Sequence, residues 1–107
     1  MKITNEDNNY KILKDDGTSV VLTSAEAWAL MTFIRKENLR DLIGYEVDDA
    51  EEDWLDLSKY DGTRDEFIDE IFSNLEYMID NGDSVSTEYV YDQIDDLGRF
   101  YKLEKEE

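Results

Sequence analysis

Apolar and polar residues alternate through NNYKILKDDGTSVVLT, with Tyr10 and Ile12 on one side of the first extended stretch and Val20 and Leu22 on one side of the next. Between them stands Asp16-Gly17, a turn pair in which glycine supplies positive φ at little cost, so the pattern predicts a β-hairpin. The period then changes. In TSAEAWALMTFIRKENLRDLI, Ala27, Leu30, Met31, Ile34 and Leu42 recur at helical spacing, with Trp28 and Phe33 widening the stripe. Thr23 stands three residues before Glu26, a capping box that satisfies the free amides at a helix start, so a first helix is expected here, with a bend near Asn38 left open.

A second capping box, Thr63 with Glu66, opens TRDEFIDEIFSNLEYMIDNG, and Gly82 offers a natural stop. Phe67, Ile71, Leu75 and Met78 form one apolar row beside a second row of Ile68, Phe72 and Ile79, a width that predicts the most buried helix of the fold. A third helix begins near Ser86 or Thr87, with Val90, Ile94, Leu97 and Tyr101 on one face. Gly98 divides the readings of RFYKLE: the helix continues, or the segment becomes a strand returning to the hairpin, and the glycine favours the strand. The class is α+β, an N-terminal β-hairpin followed by three or four helices. Residues 1–107 are expected to form a single acidic α+β domain.

Composition supports a folded chain. At 107 residues and 12.6 kDa it is the size of one domain, able to hide roughly 65% of its unfolded surface. With 40% apolar residues, two Trp, four Phe and seven Tyr, it carries more large apolar surface than a disordered chain does. There is no cysteine, which rules out disulfides and thiolate metal sites and fits a reducing compartment. MKITNEDNNYKIL lacks the apolar run of a secretory signal, and no long apolar span follows, so a cytoplasmic protein with no membrane association is expected.

Charge sharpens the picture. The formal net charge is −18. Residues 1–40 contain six acids and six bases, so the whole imbalance belongs to the remainder of the chain, with 23 acids against five bases. Its densest stretch is VDDAEEDWLDL, residues 47–57, with six carboxylates and no lysine or arginine. On a helix, Val47, Ala50, Trp54 and Leu57 would share one face and Asp48, Glu52 and Asp56 another, where like charges four apart cost a few tenths of a kcal/mol each. At about 1.5 Å per residue this gives about one charge per 2.7 Å, within a factor of two of duplex DNA. Favourable dipole interactions account for acids in a first helical turn, such as Asp65 and Glu66, but not for Asp69, Glu70 and Glu76, nor for Asp92, Asp95 and Asp96. Arg35, Lys36 and Arg40 read as helix C-terminal charges or internal partners of the acids rather than as a nucleic-acid site.

Catalytic and metal chemistry find no foothold in this pattern. Histidine and cysteine are absent, which removes the usual general base and the best nucleophile, and no P-loop, GxSxG or GxGxxG occurs. An EF-hand loop starting at Asp80 would need glycine where Val85 stands and glutamate where Tyr91 stands. No enzyme, cofactor or dedicated metal site is expected.

In size, charge and lack of catalytic groups, residues 41–107 resemble the small acidic DNA-mimic proteins of phages and mobile elements, including anti-CRISPR and anti-restriction proteins. The resemblance implies an inhibitor that binds a basic nucleic-acid-binding protein, such as a CRISPR effector or restriction enzyme, and blocks its DNA or RNA site, without itself binding nucleic acid. The expected contact residues are Asp48, Asp49, Glu51, Glu52, Asp53 and Asp56, then Asp69, Glu70 and Glu76, then Asp92, Asp95 and Asp96, with Tyr60, Tyr77 and Tyr91 as flanking anchors. The alternative is a small protein-protein adaptor or subunit working through an apolar patch of Trp54, Leu55 and Leu57, its acidity serving only solubility.

Overall fold

A computed structural model of the chain describes residues 1–106. Strands β1 (Lys2–Glu6), β2 (Asn9–Leu13) and β3 (Ser19–Thr23) lead into helix α1 (Ser24–Asp53); a 3₁₀ turn (Leu57–Lys59), α2 (Arg64–Asp80) and α3 (Thr87–Phe100) follow. The α+β class holds, an antiparallel sheet at the N-terminus followed by helices. The chain divides into two compact units, Met1–Ile34 and Arg35–Glu107.

The first unit contains the sheet, in the order β1-β2-β3. β2 and β3 form the expected hairpin, Tyr10 opposite Leu22 and Ile12 opposite Val20. Asp16 accepts from the Thr18 amide at 2.9 Å and from its hydroxyl at 2.6 Å, which lowers the Asp16 carboxyl below its usual range, while Gly17 sits at φ 87°. Strand β1 is an addition to the expected hairpin. It places Ile3 opposite Ile12 and turns through Asp7 and Asn8, at φ 50° and 66°, a two-residue turn with the two residue types that best tolerate positive φ after glycine. The Thr23 box forms as expected: the Glu26 amide donates to Thr23 Oγ1 at 3.1 Å and the Thr23 amide to Glu26 Oε1 at 3.0 Å. None of residues 1–34 is buried.

The second unit holds the core. Leu39, Ile43, Val47 and Ala50 of α1 meet Phe67, Ile71, Leu75 and Ile79 of α2, Val90 and Ile94 of α3, and the flanking Leu55 and Leu103. The four α1 positions are separated by four, four and three residues, one continuous helical face. Hence α1 runs unbroken to Asp53 and absorbs most of the acidic segment. Complete burial of a valine is worth about 1.5 kcal/mol or more, against a few tenths for each like-charge pair, so Val47 decides the local structure. Helix α2 opens on its capping box, Glu66 N to Thr63 Oγ1 at 3.1 Å, and has five buried residues, more than either other helix.

Helix α3 continues through Gly98 to Phe100, which corrects the expected return of RFYKLE to the hairpin. A Cβ at position 98 would lie 2.5 Å from the Trp54 ring, so this glycine admits the indole instead of ending the helix. The chain after α3 crosses the segment after α1. Leu55 and Glu104 make an isolated antiparallel bridge, Asp56 N donates to Leu103 O at 2.7 Å, and Lys105 N donates to Trp54 O at 2.8 Å. No described helix is long and apolar enough to cross a membrane.

Candidate acidic interface

Three of the eight cations of the second unit, Lys36, Arg40 and Arg64, are engaged between α1 and α2. Lys36 of α1 pairs with Asp80 at 2.7 Å and Glu76 at 3.7 Å, and the hydrogen bond to Asp80 raises the lysine above its ordinary pKa. Arg40 pairs with Asp69 and lies 4.5 Å from the centre of the Phe72 ring. From α2, Arg64 reaches back to Asp48, to Glu51 at 3.3 Å and to the Gly44 carbonyl at 2.9 Å. Arg35 donates to the Asp83 carbonyl at 2.8 Å. These bases are internal partners of the helical body.

Several expected contact residues therefore have structural work. Asp48, Glu51, Asp69 and Glu76 take part in that ladder, and Asp95 pairs with Arg99 one turn along α3 at 3.2 Å. Asp56 caps the 3₁₀ turn, accepting from the Ser58 amide at 3.0 Å and its hydroxyl at 2.6 Å, and the hydroxyl bond holds its carboxyl below the usual range. Glu70 accepts from the Tyr60 hydroxyl at 3.1 Å and the Tyr101 hydroxyl at 2.7 Å. Burial, and then the bond to Glu70, push Tyr60 up to about 12; the same carboxylate raises Tyr101. The Tyr60 ring meets Phe67 edge-on at 5.2 Å, so of the expected aromatic anchors this one is a packing residue, whereas Tyr77 and Tyr91 are at least half exposed.

Asp49, Glu52, Asp53, Asp92 and Asp96 differ from the rest: all five are exposed and none has a cation partner among the described residues. Asp49 and Asp53 lie one turn apart on α1, and Asp92 and Asp96 one turn apart on α3, about 6 Å of rise in each case. Glu88 extends the α3 row by another turn; its four-residue spacing from Asp92 was the available sequence signal. The Trp54–Gly98 contact brings the end of α1 to α3. Asp53 and Trp54 line one open cleft with Tyr91, Asp95 and Arg99 of α3 and with Glu104, Lys105 and Glu106 of the tail. Of the expected contact residues the cleft thus brings together Asp53 of α1 and Asp95 of α3, while Asp69, Glu70 and Glu76 belong to the ion-pair ladder and tyrosine cluster of α2.

Trp54 itself is half-buried, Leu55 fully buried and Leu57 partly buried against the core. The chemistry of the region is electrostatic. Among the described residues no group of three or more carboxylates is placed to hold a metal ion. Comparison with protein-family models, curated proteins and solved structures finds no match to this chain.

Proposed function

We infer that the protein is an acidic nucleic-acid mimic, an inhibitor that occupies the DNA or RNA site of a basic nucleic-acid-binding protein such as a CRISPR effector or restriction enzyme. The observation that carries this reading is that Asp49, Glu52 and Asp53 of α1 and Asp92 and Asp96 of α3 are exposed and have no cation partner among the described residues. They do nothing for the fold and repel one another. Helix backbones hold them in rows, and rows of fixed negative charge are what a basic channel binds in a phosphate backbone. Steering by such a field makes capture fast and sensitive to salt.

The test is a pull-down from a bacterial lysate with tagged protein at low and high salt, with DNA added as competitor. Recovery of a nucleic-acid-binding protein that DNA displaces and high salt releases agrees with mimicry; recovery only of salt-resistant partners without nucleic-acid affinity rejects it. The adaptor reading rests on a different observation. With Trp54 and Leu55 committed to packing, exposed apolar surface for an adaptor is found in residues 1–34, where nothing is buried. Its partners would survive high salt.

A further inference from the structure

Every hydrophobic residue of the core, and every partly buried one packed against it, lies between Leu39 and Leu103. Folding of the second unit therefore draws no burial from residues 1–34. The first unit has little burial of its own. Tyr10, Ile12 and Leu22 on one sheet face and Ala27 on α1 are half-buried, while Trp28, Leu30, Met31, Phe33 and Ile34 are each 41–62% exposed. Fixing the backbone of one residue costs about 1–2 kcal/mol, and half-covered side chains return only part of the roughly 1.5–3 kcal/mol that complete burial yields. A small sheet is stable by itself only when its apolar face is well packed, and the eleven residues of α1 in this unit, Ser24–Ile34, are fewer than a helix needs to hold alone in water.

The fastenings of α1 change at the same point in the chain. From Arg35 onward they belong to the second unit: Arg35 donates to the Asp83 carbonyl, Lys36 pairs with Asp80, Leu39 opens the buried face, and Arg40 pairs with Asp69. Upstream of Arg35, among the described residues, the side-chain hydrogen bonds of α1 stay inside the first unit, Ser24 donating to the Asn8 carbonyl and Glu26 accepting from the Thr23 amide. Both tie the helix start to the sheet, so loss of one carries the other with it. We propose that residues 1–34 open as one cooperative unit, the sheet together with the first turns of α1, while α1 from Arg35 onward and the rest of the second unit stay folded. Local openings in native proteins take place in contiguous units of this kind, with free energies from near zero up to that of global unfolding. Asp49, Glu52, Asp53, Asp92 and Asp96 all lie in the part that stays folded, so the acidic surface is kept when the first unit opens.

Native-state hydrogen exchange on the whole chain tests this. β2 is the interior strand, so each of its ladder amides bonds to one neighbour or the other, and its exchange reports opening of the sheet rather than an exposed edge. Protection at Ile12 and Leu30 should be alike, and at least about tenfold below that at Ile43, Ile71 and Ile94. Ile12→Ala, which truncates a half-buried side chain, should lower protection at Lys11 and Leu30 together by about tenfold and leave Ile43 and Ile71 unchanged. Protection at Ile12 within about tenfold of that at Ile43 would mean one cooperative body and overturns the proposal. So does an Ile12→Ala variant in which protection falls equally at Ile43, or falls in the sheet alone.

Discussion

Phe33 and Phe67 are both helical phenylalanines set in apolar stripes, yet one is 62% exposed and the other completely buried. The same contrast separates the two units. Residues 1–34 make regular secondary structure with no buried residue, nearly free of net charge. Residues 35–106 pack thirteen hydrophobic residues into a core and carry almost all the negative charge on their surface. The difference teaches that local structure and burial are separate achievements: hairpin turns and a capping box suffice for the first, while only the second unit has facing elements to complete its apolar stripes.

The largest expected effects come from attacking the core. Phe67→Ala should lower stability by about 3–5 kcal/mol in urea unfolding. Phe33→Ala should cost about 0.5 kcal/mol or less; equal losses would erase the contrast. Gly98→Val sets a side chain into the Trp54 ring and should cost about 1–3 kcal/mol, with a change in tryptophan fluorescence. Next comes Tyr60→Phe, which removes a donor to the Glu70 carboxylate and should cost about 1.5 kcal/mol. The folded-state pKa of Tyr60 is raised from 10.0 to about 12, so its contribution is complete below the lower value and lost as pH rises toward the higher, which tyrosinate absorbance measured beside alkaline unfolding would follow. Thr63→Ala, breaking the α2 cap, should cost about 1 kcal/mol. Smallest and opposite in sign, Asp49→Asn with Glu52→Gln and Asp53→Asn should stabilise the fold by a few tenths of a kcal/mol, and less at high salt, because these groups only repel. A loss of stability on that change would mean the carboxylates hold the body together.

Much of this fold was legible in single residues. Asp16-Gly17, Thr23 with Glu26, and Thr63 with Glu66 each encode a local hydrogen-bond solution, and each forms. The double row on α2 marks its burial because apolar width on a helix has no other cheap use. What escaped was non-local. The Asp7-Asn8 turn signals β1, but with Ile3 as the strand's one large apolar residue no alternation announced it. Gly98 read as a break because its reason, the Trp54 indole, lies 44 residues earlier. The stripe from Ala27 to Ile34 is apolar, but periodicity cannot say whether anything faces it. The acidic patches were visible as charge density, whereas the division between paired and unpaired members depended on Lys36, Arg40 and Arg64 reaching across helices. Asp49, Glu52, Asp53, Asp92 and Asp96 are the expected contact residues that are exposed and have no cation partner among the described residues.

Those five groups carry the account of function. The most direct measurement is the affinity for a captured partner across a salt series, wild type beside a variant with Asp49→Asn, Glu52→Gln, Asp53→Asn, Asp92→Asn and Asp96→Asn. Mimicry predicts wild-type binding that falls steeply with salt, and a variant that binds at least tenfold more weakly at low salt while unfolding at the same or a higher temperature. Equal affinities with a flat salt dependence would contradict it.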